Sequence, residues 1–378
     1  MLQDMNLVQP QWMNVVPRLF EAVAQGLFRE VRKLSKWQQF HFKYSILIGK
    51  MYYKMKEGVL GLRCRYRWYP RFLDVLWSVV PFALLWIPHL LCEITLFKKL
   101  RSRFGGNFRA VISGGGALQP DIEAFYHAIG FNLLEGYGMT ESAPVISVRN
   151  SKKPRSNNVG LVFPSFDVKI VAEKDGQIVD GEPLKPGKRG IILVKGRQVM
   201  KGYYKRPDLT EKVIDAEGWL NTGDLGMISY DEELKIVGRA KDTIVLLGGE
   251  NIEPQVIEKA INASPYIERA VVVGQDKKYL GALVVPDQQN VLAYAEENNI
   301  LYDNYESLLE TKEIQNLFQT EIDTLDNAKN GFRTCERIGK FVLLKKSFEL
   351  GKEINAKQEL MRHKITEIYK KEYARLFK

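Results

Sequence analysis

Residues 132–142, NLLEGYGMTES, hold side chains whose types and spacing suit chemistry. Phe131, Leu133 and Leu134 lead into Gly-Tyr-Gly, and Thr140 and Glu141 follow almost at once. A buried strand ending in a tight turn has this pattern, because Gly136 and Gly138 admit backbone shapes that a β-carbon hinders. Tyr137 between them offers a flat ring to a planar ligand. A hydroxyl and a carboxylate then stand at the carboxyl end of the strand, where ligands bind in open α/β sheets. A phosphate accompanied by magnesium needs such a pair, the hydroxyl toward a phosphate oxygen and the carboxylate toward the hard cation. The same residues also suit a plain cap on the next helix.

Three further stretches carry candidates. Gly114, Gly115 and Gly116 open a turn between an apolar strand and a helix with Pro120 at its start, and backbone there can approach a flat ligand closely. Asp224, between a glycine and a leucine, can accept both hydroxyls of a ribose, although a plain turn aspartate has the same local look. Arg239 carries a permanent charge on a planar fork of donors suited to phosphate or ribose oxygens. Gly248 and Gly249 form another turn, leading into a helix with Pro254 near its start.

The elements that must position these residues follow from periodicity. A helical pattern opens at residues 15–23, and basic helical sequence continues to about residue 73. Residues 63–73 alternate cations with aromatics, as interfacial anchors do beside a membrane segment, and as some nucleic-acid surfaces do. Residues 75–91, VLWSVVPFALLWIPHLL, contain no Asp, Glu, Lys or Arg and are about long enough for a short span. Pro81 and Pro88 are expected to disturb a helix, and Asp74 and Glu93 border the segment. A monotopic or interfacial segment is preferred to a span, with a buried helical hairpin as the structural alternative. Residues 98–107 read as a basic turn.

A strand at 108–113, a helix at 121–129 and a strand from 132 form a β-α-β unit with two ligand-facing turns at one sheet edge. Short strands at 166–171, 177–179 and 190–195 mark a β-rich subdomain over 159–237, which ends on a strand at 234–237. From 241 the pattern is compact: strands at 269–273 and 280–285, helices at 288–297 and 314–325, a strand at 339–344 and a last basic helix over 357–377. The fold class is α/β: a large part over 1–240, with an expected membrane-interfacial stretch at 63–100, then a small α+β domain over 241–378.

The chain has 378 residues and a net charge of +10, which favours anionic partners without choosing among them. Cys64, Cys92 and Cys335 lie far apart without metal-ligand spacing and read as reduced, buried thiols of a cytoplasmic protein. The first residues lack the layout of a signal peptide and begin as though in the middle of a domain.

Taken in order, GGGALQP, EGYGMTES, WLNTGD and GRAKDTIVLLGGENI resemble the adenylate-forming superfamily. Within it, VVPRLFE and SGGGALQPDIEAFYHAIGF are most similar to long-chain fatty-acid–CoA ligases. The resemblance spans about residues 14–257 and implies a two-step reaction, in which a fatty acid and ATP give acyl-AMP and pyrophosphate, and coenzyme A then displaces AMP. It implies that Gly114, Gly115 and Gly116 line adenine, with Glu135, Gly136 and Gly138 in the facing turn and Tyr137 stacked on the base. Thr140 then contacts phosphate, Glu141 holds Mg²⁺, Asp224 grips the ribose and Arg239 supports it. The small domain is mobile, pivots at Lys241 and Asp242, and brings in a face with the Gly248–Gly249 turn along which pantetheine enters. An acyl–carrier-protein ligase differs only in its thiol acceptor.

Two departures accompany the resemblance. The family's Ser/Thr/Gly-rich phosphate loop has no counterpart here, so the large domain is expected to be incomplete. The chain is then a split or truncated form, acting with a separately encoded N-terminal half or inert as a fragment. The family's C-terminal lysine motif falls on residues 354–365, where Glu359 occupies the lysine position if Arg362 matches the arginine, and Lys357 is the nearest cation upstream. The expected location is the cytoplasm, peripheral to the inner face of the membrane. Nucleic acid is not an expected partner, because that reading leaves the nucleotide motifs unused.

Overall fold

A computed structural model describes residues 2–116, 118–174, 176–355 and 359–377, and the side chains from residue 4 onward within them. The chain divides into two units: Met1–Glu173 with Ile178–Ile236, and Lys174–Gln177 with Val237–Lys378.

The first unit begins α1 (Leu2–Val8), β1 (Trp12–Val15), α2 (Pro17–Arg32), α3 (Lys36–Val59), α4 (Phe72–Cys92) and α5 (Lys98–Ser102). It continues β2 (Ala110–Ser113), α6 (Pro120–Ala128), β3 (Leu133–Gly138), β4 (Val145–Val148) and β5 (Leu161–Val162). The strands lie side by side in numerical order. Pairing is parallel from β1 to β3 and antiparallel from β3 to β5. Phe20, Phe97, Phe125, Tyr126 and Leu133 fill the core beside this sheet.

β3 changes partner along its length. Leu133, Leu134 and Glu135 pair with β2, whereas Gly136, Tyr137 and Gly138 pair with β4, with a register slip between Tyr137 and Gly138. Such a slip re-aims side chains at a strand end.

A second sheet holds β6 (Phe166–Lys174), β7 (Gln177–Pro183) and β8 (Gly190–Gly196); after one helical turn, α7 (Pro207–Thr210), come β9 (Leu220–Ile228) and β10 (Leu234–Arg239). Its order is β10-β9-β8-β6-β7.

The second unit contains the β-hairpin β11 (Ile244–Val245) and β12 (Asn251–Ile252), then α8 (Pro254–Ile261), β13 (Ile267–Val273) and β14 (Leu280–Pro286). α9 (Gln288–Glu297), α10 (Tyr305–Glu310), α11 (Lys312–Leu325), β15 (Ile338–Leu343), α12 (Arg362–Ile368) and α13 (Lys370–Leu376) follow. The sheet β13-β14-β15 is covered on both faces, which explains why its central strand β14 is buried along its whole length. Ala270, Val272, Ala282 and Val284 join Ile257, Val291 and Phe318 in one cluster, while the alternate residues Val271, Val273, Leu283 and Val285 join Ile365 and Leu376 in another.

Several elements differ from the sequence reading. The helical stretch before residue 73 is two helices, broken at Lys33–Ser35 and closed after Val59. α4 runs unbroken through Pro81 and Pro88. Each proline costs a helix about 3 kcal/mol in lost hydrogen bonding and crowding, and packing of α4 against α3 outweighs it. The spacing widens only afterward, in a π-helical turn over Glu93–Phe97. The expected basic turn begins as the short helix α5. The last helix starts at Arg362 rather than 357 and is interrupted at Tyr369. Just before it, Met361 N–H donates to the Glu353 carbonyl and Asn355 N–H to the Glu359 carbonyl, and residues 356–358 lie outside the described residues. Cys64 and Cys335 are half-buried rather than buried.

Candidate functional site

The two glycine turns of the first unit abut. A β-carbon on Gly114 would lie 3.8 Å from the Gly136 carbonyl oxygen. Gly114 N–H donates to the Val15 carbonyl at 3.1 Å, and Gly115 takes a left-handed φ of +80°. Leu118 N–H, just past the turn, donates to the Glu135 carboxylate at 3.1 Å, which ties the loop to β3. Gly116 is exposed at the turn.

Gly138 is required by close approach: a β-carbon there would stand 1.8 Å from the Pro144 carbonyl oxygen. Gly138→Ala must spread β3 from β4 at the bulge. Its expected cost is about 1–3 kcal/mol, the range for overpacking, with weakened AMP binding, both read by thermal unfolding with and without AMP.

Tyr137 and Asp224, 87 residues apart, meet in space: the phenol donates to Asp224 Oδ2 at 2.7 Å. Asp224 is only 8 % exposed. It lies within β9 rather than at a plain turn, because the strand bulges beside it. Gly223 has a φ of +69°, and the Thr222 hydroxyl donates to the Ile192 carbonyl while accepting Asp224 N–H. This lifts Asp224 toward Tyr137.

Thr140 and Glu141 occupy a 3₁₀ turn, Thr140–Ser142, directly after β3. Thr140 is exposed and Glu141 half-buried. The Tyr203 hydroxyl donates to Glu141 Oε1 at 3.0 Å, and Met200 N–H donates to the Glu141 carbonyl at 2.8 Å. Partial desolvation and then the Glu141 carboxylate raise the Tyr203 pKa. Tyr203 was overlooked, although KGYYKRPDLT is conspicuous in the sequence; two adjacent tyrosines in a basic turn are the available signal.

Arg149 was also overlooked. It is 2 % exposed, and its guanidinium donates to Glu123 Oε1 and to Glu135 Oε2, while its Nε donates to the Asn158 carbonyl at 2.7 Å. Burial opposes its charge, but Glu123 and Glu135 more than restore it, so its pKa is raised. Burial likewise opposes the Glu123 charge, and Arg149 outweighs that, holding the carboxyl well below its ordinary value. Arg149 therefore anchors Glu135, which in turn holds the loop after the Gly114–Gly116 turn. The available signal was Glu123 within the apolar pattern of α6, since a buried charge requires a partner.

The remaining candidates lie in the second unit. Arg239 ends β10, with Glu359 3.9 Å away. Gly248 and Gly249 form the turn between β11 and β12; Gly249 has a φ of +82°. Glu359 also accepts from the Asn355 side chain at 3.0 Å. Arg362 pairs with Glu258 at 2.6 Å and with Asp242 at 3.6 Å. Lys357 lies outside the described residues.

Among the described residues, no group of three or more His, Cys, Asp or Glu is placed to hold a metal ion. Magnesium commonly uses one or two protein carboxylates and completes its shell with phosphate and water oxygens. A single Glu141 beside the Thr140 hydroxyl fits that pattern.

Comparison with known proteins agrees with the class this fold and these turns define. A family model described as "AMP-binding enzyme" matches residues 1–204, and "AMP-binding enzyme C-terminal domain" matches residues 241–378. The chain belongs to the AMP-binding enzyme family. A probable acyl-activating enzyme 16 of Arabidopsis thaliana is 32% identical over 392 residues, covering 99% of this chain and 53% of the relative. A long-chain-fatty-acid–[acyl-carrier-protein] ligase of the same plant is 36% identical over 301 residues, covering 76% of this chain and 41% of its own length. A long-chain-fatty-acid–CoA ligase of Mycobacterium tuberculosis is 33% identical over 219 residues, covering 58% and 34%. The chain thus spans about half the length, or less, of these curated relatives. In fold it is similar to the adenylation domain of a carboxylate reductase from Mycobacterium chelonae, with a TM-score of 0.70 at 20% identity, covering 100% of this chain and 48% of that one.

Proposed function

We propose that the chain carries the nucleotide-gripping and C-terminal parts of an ATP-dependent long-chain acyl ligase. The observation that carries this reading is the 2.7 Å hydrogen bond from Tyr137 to Asp224, which joins a base-stacking ring to a ribose-accepting carboxylate. Adenine lies along the Gly114–Gly116 and Glu135–Gly138 turns, and Asp224 accepts the ribose hydroxyls. The Thr140 hydroxyl contacts the α-phosphate. Glu141 would hold magnesium, which would supply charge neutralisation on the phosphates. The fatty-acid carboxylate attacks the α-phosphorus and pyrophosphate leaves; a thiol then attacks the acyl carbonyl and AMP leaves.

Coenzyme A is the preferred thiol, entering along the Gly248–Gly249 turn, and an acyl carrier protein is the alternative acceptor. Arg239 and Lys357 act on the nucleotide in the adenylating arrangement, and the second unit turns about Lys241 and Asp242 between the two steps. One arrangement cannot both clamp pyrophosphate and admit a thiol, so a hinge separates the tasks. The acid is drawn from a lipid surface on the cytoplasmic side.

The test is pyrophosphate release from ATP and oleate, followed by thioester formation with coenzyme A or acyl carrier protein. Oleate-dependent release that Lys357→Ala abolishes is the expected result. Release independent of oleate, or no AMP binding by the chain at all, overturns the reading.

A further inference from the structure

α4 is built inside out. Its buried positions include Asp74 and Ser78, at 5 % and 0 % exposure, whereas Trp77 and Leu84 on its outer side are 75 % and 73 % exposed. Asp74 is satisfied internally, by Arg63 at 3.3 Å and by the Tyr69 hydroxyl. Small residues permit the close packing on the inner side: a β-carbon on Gly58 of α3 would collide with Ser78 of α4. Polar and small residues inward with large apolar residues outward is how helices are arranged when the outer medium is hydrocarbon.

The outer residues form a stripe rather than a scatter. Leu76, Val80, Leu84, Ile87 and Leu91 recur at three- and four-residue spacing along one side of α4, and all are exposed. α3 packs antiparallel beside it, as Tyr52 stacking on Phe82 and the Thr95–His41 contact record. α3 has its own exposed stripe at the same spacing: Trp37, Phe40, Tyr44, Leu47 and Met51. The helix and its continuation, Phe72–Ser102, have a mean hydropathy of 1.9 in their most apolar stretch, of which only 11% is buried. The hairpin expected as the structural alternative is present, and in this chain its apolar side faces outward.

Charge identifies the occupant. Lys36, Lys98 and Lys99 are exposed at one end of the hairpin, and Lys54 and Arg67 at the other, while residues 75–91 between them carry no Asp, Glu, Lys or Arg. A second copy docked two-fold on this face would bring cations against cations. A bilayer with anionic headgroups accepts both features, apolar side chains into the acyl boundary and cations onto phosphates. We propose that the α3–α4 hairpin lies in the plane of an anionic membrane surface, with Trp77, Leu84 and Ile87 inserted and the terminal cations on lipid phosphates. The inference deepens the lipid-surface part of the proposed function and rests on it.

The experiment is co-sedimentation of the full chain with vesicles of equimolar phosphatidylglycerol and phosphatidylcholine, and with phosphatidylcholine alone, without ATP or fatty acid. The parent is expected to bind the anionic vesicles at least about tenfold more tightly, and less tightly as salt rises. Lys98→Ala with Lys99→Ala is expected to lose about thirtyfold on the anionic vesicles, at roughly fivefold per cation removed near the surface. Leu84→Glu with Ile87→Glu is expected to abolish binding to both, with the unfolding midpoint unchanged because both sites are exposed. Equal binding of this variant and the parent overturns the proposal. So does a parent that binds neither vesicle, or one that forms a dimer which the variant dissociates. Because no nucleotide is present, failure of the ligase reading leaves a positive vesicle result intact, and the converse also holds.

Discussion

Replacing Arg149 by methionine is expected to lower the unfolding free energy by about 3–5 kcal/mol, the range for removing one partner of a buried ion pair. The reason is what remains. Glu123 and Glu135 both lie on this one guanidinium, and Glu123 is 6 % exposed. Without Arg149 they are left close together in a site closed to water. His127 contacts Glu123 at 3.3 Å, but the Tyr53 ring stacked on it at 4.4 Å leaves it little freedom to replace an arginine. The cost should fall when one carboxylate is neutralised: Glu123→Gln with Arg149→Met is expected to be less destabilised than the two single effects summed, as coupled neighbours are.

Acid gives a second readout of the same contact. The Glu123 pKa is lowered in the folded chain from 4.5 to about 2, with burial opposing the shift and Arg149 driving it. A depressed carboxyl contributes stability above its unfolded pKa and loses it as pH falls through the folded value. Between about pH 4.5 and 2 the parent should therefore lose stability more steeply than Arg149→Met. Urea midpoints for both chains across that window make the comparison. An Arg149→Met chain within about 1 kcal/mol of the parent would show that the carboxylates do not depend on it. The effect should reach the nucleotide too, since Glu135 links this network to Leu118 and the Gly114–Gly116 turn.

These two residues illustrate what could be read from sequence. β3 was legible because an apolar run ends on two glycines around a tyrosine, a local signal complete within a few residues. The Gly248–Gly249 turn was legible for the same reason, but the two-residue strands β11 and β12 on either side of it were not, because only their pairing with each other makes them strands. Arg149 was not. It stands at the edge of the polar stretch RNSKKPRS, where an arginine reads as solvated, and the carboxylates that define it come from α6 and β3. Tyr137 and Asp224 were each legible singly, but nothing local announces that they bond, because the bulge that lifts Asp224 depends on pairing with β8. β1 escaped because four residues, WMNV, lack a period, and only pairing with β2 makes them a strand. α4 was misjudged in the opposite direction. Its prolines are a strong local signal against a helix, and tertiary packing against α3 overrode them.

Glu141→Ala is expected to cut pyrophosphate release by about 10²–10³-fold, the loss typical of removing one preorganised electrostatic contact, while AMP affinity stays within about twofold of the parent's, because the 2.7 Å Tyr137–Asp224 contact that would grip the nucleoside is untouched. Only the triphosphate presents adjoining phosphate oxygens to a shared cation, so only ATP should sense the missing carboxylate. Calorimetric titration separates the two: the parent is expected to bind ATP more tightly with magnesium than with EDTA, and Glu141→Ala to bind it equally in both. Tyr203→Phe removes a single 3.0 Å hydrogen bond to the same carboxylate. Loss of one such bond is worth about 0.5–1.5 kcal/mol net, so this variant should retain the magnesium response with release reduced about tenfold or less. A Glu141→Ala chain that keeps the parent's magnesium response would remove Glu141 from the metal role and leave Thr140 and the phosphate oxygens without a protein carboxylate beside them.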